Sequence, residues 1–92
     1  MQKHVKIYLQ YFDIGMDDVW YCEACLRQFP INNGLDIHHI YGRLGDKLND
    51  INNLCCVCRR CHELAHSEKL SKSEMQYIHN NFMLGHRKKF VK

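Results

Sequence analysis

Val5, Tyr8, Leu9 and Phe12 recur at helical spacing while Lys3, Lys6, Gln10 and Asp13 fall on the opposite side. This predicts an amphipathic helix over about residues 3–14, with Gly15 as its stop and the aromatic stripe facing a core. Val19-Trp20-Tyr21 is a short β-prone run, and Pro30 to Gly34 is dense in turn formers. Leu35 to Tyr41 reads as a strand with polar interruptions, Gly42 to Asn53 as a loop, and Leu54 to Val57 as a second short strand. From Arg59 to Glu68 good helix formers run without Gly or Pro, so a helix begins at Cys58-Arg59-Arg60-Cys61 and carries His62 and His66. The last helix, about residues 72–84, opens with the capping box Ser71-Lys72-Ser73-Glu74, flanked by Leu70 and Met75 as a hydrophobic staple. Met75, Ile78 and Phe82 form its inward stripe, and Gly85 ends it.

This mixture of short strands and helices predicts one small α+β domain over residues 1–92. The length excludes a second domain, and 46% hydrophobic with 25% charged residues excludes a disordered tail. No run approaches the roughly 18 apolar residues of a membrane span, and the first residues do not lead into a signal-peptide core. The chain therefore reads as intracellular, in the cytoplasm, with no membrane partner.

A domain this small buries only about 60–65% of its unfolded surface and leans on a metal or disulfide staple. Cys22-Glu23-Ala24-Cys25 and Cys58-Arg59-Arg60-Cys61 form two C-x-x-C knuckles, the arrangement that closes four thiolates on a structural Zn²⁺. Disulfides need a secretory context, and a C-x-x-C bridge closes too short a loop to restrict much chain entropy. Cys55 and Cys56 read as apolar strand residues, with a zinc-ligand role as the sharper alternative.

Four histidines are arranged rather than scattered. His62 and His66, four apart, share one helical face, and His38 and His39 stand at a strand end upstream. His4, His79 and His86 read as structural or solvated. Asp36, two residues before His38 and on the same strand face, is either a solvated strand end or a carboxylate that orients a ligand histidine.

Ile37-His38-His39-Ile40, then Asn53-Leu54, then Cys58-x-x-Cys61-His62-x-x-x-His66, with the upstream C-x-x-C, resembles the HNH nuclease family over about residues 20–68. Many members carry Asp-His where this chain has His38-His39, and the colicin DNase branch is similar in using a His-His pair. The resemblance implies a ββα-metal (His-Me finger) core stapled by the four-cysteine zinc site, with flanking terminal helices. It further implies a metal-dependent DNA endonuclease or nickase that leaves 5′-phosphate and 3′-hydroxyl ends. By position His39 matches the general base, and Asn53 the residue that holds the loop and orients it. His38, His62 and His66 match the ligands of one catalytic divalent ion, drawn from Zn, Ni, Mn, Co or Mg, with the imidazole set disfavouring Mg.

The implied partner is the backbone of double-stranded DNA, because the chemistry acts there and a small domain has few elements with which to read bases. Arg43, Lys47, Arg59 and Arg60 border the expected site as phosphate contacts, or else as solvated charges. The net charge of +3 is uninformative, but its distribution is not. Residues 1–26 hold two Lys or Arg against four acids, and residues 27–92 hold eleven against six. The segment His86 to Lys92 adds a basic tail. Two other readings compete: a zinc-stabilised binding module whose histidines form a second, inert zinc site, and a nuclease that works within a larger phage or host nucleic-acid-processing complex. An extra histidine at position 39 has no use in a closed site.

Overall fold

The computed structural model describes residues 2–86; Met1 and the basic segment 87–92 lie outside the described residues. Helix α1 spans Lys3–Phe12. It ends earlier than Gly15 because Asp13 adopts the left-handed conformation at φ 55°, its N–H meeting the carbonyls of Leu9 and Gln10. Gly15 lies in the following turn, where its N–H donates to Asp18 at 2.7 Å.

Strand β1 (Val19–Tyr21) pairs antiparallel with β2 (Gln28–Pro30), Trp20 opposite Phe29. The turn between them is the first C-x-x-C knuckle. Only β1 was expected: three residues ending in proline carry almost no strand signal. Strand β3 (Leu35–His39) pairs antiparallel with β4 (Leu54–Cys58), His38 opposite Cys55 and His39 opposite Leu54. All five residues of β4 are buried, so it reads as continuous apolar rather than alternating sequence. β3 stops at His39, two residues before the expected Tyr41, and the expected loop contains two short 3₁₀ turns, Gly45–Leu48 and Ile51–Asn53.

Helix α2 (Arg59–His66) follows β4 without a linker, so β3, β4 and α2 form a strand, strand, helix unit. Helix α3 (Lys72–His86) starts with the capping box closed in both directions, Glu74 N–H to Ser71 Oγ and Ser71 N–H to Glu74 Oε1, each 3.1 Å. It continues through Gly85, which was expected to end it. Among the described residues no helix is long and apolar enough to cross a membrane.

The α1 stripe packs as expected: Phe12 sits 5.4 Å from Trp20 and 5.7 Å from Phe82, centroid to centroid, in a cluster with Tyr8, Leu9 and Leu54. A second cluster, with Ile40, Val57, Met75 and the knuckle cysteines Cys22, Cys58 and Cys61, lies beyond β4. Between them runs a buried polar network. Glu23 Oε2 accepts from Tyr8 Oη and from the Cys56 N–H (2.9 Å), and Oε1 accepts from His79 Nδ1 (2.6 Å) and Cys55 Sγ (3.5 Å). His79 Nε2 donates to the Ile51 carbonyl at 2.7 Å. Both ring nitrogens of His79 thus face acceptors, which only a doubly protonated imidazolium satisfies. One carboxylate joins α1, the first knuckle, β4 and α3.

Candidate functional site

Cys22 and Cys25 come from the β1–β2 turn, Cys58 from the end of β4 and Cys61 from the first turn of α2. Their sulfurs all lie within 4.8 Å of one another. A tetrahedron of sulfurs about 2.3 Å from one ion has edges of roughly 3.8 Å, and Cys25 Sγ to Cys58 Sγ is 4.0 Å. The donor set therefore fits zinc. Burial and the neighbouring sulfurs push the Cys61 thiol well up, so a cation is what four thiolates in this space require. Cys55 and Cys56, both fully buried, stay outside this group as strand residues, Cys55 donating to Glu23.

His38 from β3 and His62 and His66 from α2 converge, with ring centroids 4.5–5.6 Å apart. One nitrogen from each lies within 4.8 Å of the others, the second donor set that fits a metal. Burial, then the charges of His62, His66, His39 and Arg43, hold the His38 pKa down at about 4, so its imidazole is neutral at pH 7, the form that ligates. Asp36 Oδ2 lies 3.1 Å from His62 Nδ1, which leaves Nε2 as the atom available to a metal. Asp36 thus touches a histidine of the cluster, the contact that its orienting reading requires. Glu23, Cys55 and His79 form a third cluster of the right size, but their polar atoms already satisfy one another in the buried network, so it fits an ion pair.

His39 ends β3 and is buried at 7% exposure. Its Nε2 meets the Leu48 carbonyl at 3.0 Å. A carbonyl only accepts, so Nε2 carries a proton, and the tautomer that this contact selects has its lone pair on Nδ1. Nδ1 is buried and has no hydrogen-bond partner among the described residues. Asn53 holds the loop that delivers Leu48: Oδ1 accepts from the Tyr41 N–H at 2.8 Å, and Nδ2 donates to the carbonyls of Gly42 and Lys47, each 2.9 Å. One amide fixes both ends of a turn that the local sequence shows only as a loop.

His38, His39 and His66 open on one cleft of about 720 Å³, with Gly42, Ser71 and Lys72 on its walls. Arg43 lies on the other side, in a smaller cleft with His4, Asp36 and His62. Lys47 places its ammonium 5.9 Å from the Tyr41 ring. Arg59 and Arg60 do not join the histidines; they line a separate cleft with Cys25, Phe29 and Leu64, because α2 turns His62 and His66 to its other side.

Sequence reasoning missed two participants. Lys72 reaches the histidine cleft through the placement of α3, for which no local signal exists. His4, 8% exposed, sets its ring 4.4 Å from that of His39 at 55°. Its position one turn before Tyr8, on the inward stripe of α1, was the available signal. Burial, then the charges of His39 and Arg43, lower the His4 pKa.

No curated protein and no solved structure matches this chain. A model of the HNH endonuclease family matches residues 22–68, a span that takes in both knuckles, β3, β4 and α2, and with them all four cysteines of the zinc set, the three clustered histidines, His39 and Asn53. On that match the chain belongs to the HNH endonuclease family, metal-dependent nucleases that act on nucleic acid.

Proposed function

We propose that the protein is a DNA endonuclease or nickase that hydrolyses phosphodiester bonds to 5′-phosphate and 3′-hydroxyl ends, with His39 as general base. The observation that carries this reading is the state of the His39 ring: Nε2 is committed to Leu48, buried Nδ1 has no partner among the described residues, and the residue lines the same cleft as His38 and His66. A ring tethered in this way would take a proton, from a water admitted to Nδ1, at one atom and in one orientation.

His38, His62 and His66 would hold one divalent ion, which when bound supplies positive charge to the scissile phosphate and to the departing 3′ oxygen. Asp36 orients His62, and Asn53 keeps the Leu48 carbonyl against His39. The four cysteines hold a structural zinc that fixes the start of α2 and hence the two ligands on it. The all-imidazole set suits Zn²⁺, Ni²⁺, Co²⁺ or Mn²⁺ better than Mg²⁺. Arg43 and Lys47 would contact DNA phosphates next to the site. Arg59 and Arg60, on the other cleft, would serve as contacts farther along the duplex.

The inert binding-module reading leaves the tethered, half-satisfied His39 without a purpose. Supercoiled plasmid incubated with the zinc-loaded protein and Mn²⁺, Ni²⁺ or Mg²⁺, with and without EDTA, separates the two readings. A nuclease yields nicked or linear DNA that EDTA suppresses; a binding module leaves the plasmid supercoiled throughout.

A further inference from the structure

We infer that His4 is a positioning residue for the base: its ring, carried on α1, packs against the His39 imidazole and holds it with Nε2 on Leu48 and Nδ1 unpartnered. This inference rests on the reading of His39 as general base.

An imidazole held by one hydrogen bond at Nε2 can still swing about that contact, and each swing moves Nδ1. A second contact on the ring removes the freedom. His4 is placed to provide it, at 4.4 Å between centroids, with both rings nearly buried. The contact is firm because α1 is anchored one turn on: Tyr8 is fully buried and donates to Glu23, and Trp20 Nε1 donates to Tyr8 Oη at 3.2 Å. His4 therefore does not depend on the fraying of a free helix end. It also lies outside the residues 22–68 matched by the family, so α1 supplies this site with a part that the matched segment does not contain.

A ring contact needs an aromatic ring and no particular nitrogen, and this sets the test. In single-turnover plasmid cleavage with saturating Mn²⁺, His4→Ala should lower the rate about 10- to 100-fold, the scale on which small misplacements of catalytic groups act. The DNA concentration for half-saturation should change little. His4→Phe should restore the rate to within about threefold of wild type, a rescue drawn from the same positioning argument. Long-range ¹H–¹⁵N spectra of the zinc-loaded protein give a readout independent of cleavage. His39 should show one Nε2–H tautomer in wild type and His4→Phe, and an averaged pattern in His4→Ala. Should His4→Ala fail to fold, His4→Phe and the spectra carry the test. A folded His4→Ala that cleaves at the wild-type rate, or a folded His4→Phe that is as impaired as the alanine variant, overturns the inference. A His39→Ala control keeps the two claims apart: if it is inactive while His4→Ala is fully active, positioning fails and the base stands. If His39→Ala is fully active, the base reading itself fails.

Discussion

Replacing His79 by alanine removes the cation of a fully buried pair and leaves Glu23 in place. Both side chains are 0% exposed and 2.6 Å apart. Glu23 would keep its bonds from Tyr8, Cys55 and Cys56 but lose the imidazolium paired with it, and the Ile51 carbonyl would keep the Leu54 N–H but lose the His79 donor. Breaking one side of a buried ion pair costs about 3–5 kcal/mol. Domains of this size have roughly 5–15 kcal/mol in total, so His79→Ala should sit near the edge of folding. Urea denaturation of the zinc-loaded proteins, followed by tryptophan fluorescence, measures the difference. The pH dependence gives a second handle. Burial opposes the charged ring, but the hydrogen bond and charge of Glu23 outweigh it, and the His79 pKa is raised above 6.5. Its contribution should be fully present below about pH 6.5 and fade as pH climbs through the raised folded value. The difference in stability between wild type and His79→Ala should therefore shrink on the alkaline side. A loss under about 1 kcal/mol, on the scale of an ordinary neutral hydrogen bond, or a difference that grows with pH, would refute the buried imidazolium.

Asn53→Asp sets an anionic oxygen against the Gly42 and Lys47 carbonyls, both 2.9 Å from the present amide. It should cost about 1–3 kcal/mol by denaturation and slow plasmid cleavage through the displaced Leu48 carbonyl. His66→Ala should weaken Mn²⁺ or Ni²⁺ binding in calorimetry while elemental analysis still finds the cysteine-bound zinc; loss of that zinc would show that the ligands are partitioned wrongly. Asp36→Asn, which weakens the hold on His62 Nδ1, should raise the dissociation constant of the same ion about 10-fold, the lower end for partners of metal-bound histidines. An unchanged constant would return Asp36 to a solvated strand end.

What could be read in the sequence was what depends on near neighbours. The Ser71–Glu74 capping box closed in both directions because its partners are three residues apart. Each knuckle brings its own two cysteines together within four residues, the first in the β1–β2 turn and the second where β4 passes into α2. The helical pair His62 and His66 needed only the pitch of α2. What could not be read depends on docking. Glu23 and His79 are 56 residues apart and meet only when α3 packs against the first knuckle. A glutamate between two cysteines shows nothing of that pairing. The end of α1 was misplaced because an aspartate, rather than the nearby glycine, takes the left-handed cap. Arg59 and Arg60 fell on a different cleft from the histidines because proximity in sequence at a helix start says nothing of which way each side chain turns.

The role of His39 is tested most directly by the cleavage rate of folded, zinc-loaded His39→Ala at saturating Mn²⁺ and DNA. Loss of the base should lower the rate by about 10²–10⁴-fold, with zinc content, Mn²⁺ affinity and DNA binding retained. Cleavage at the wild-type rate by that variant, with the same EDTA sensitivity, would contradict the assignment and place the base elsewhere.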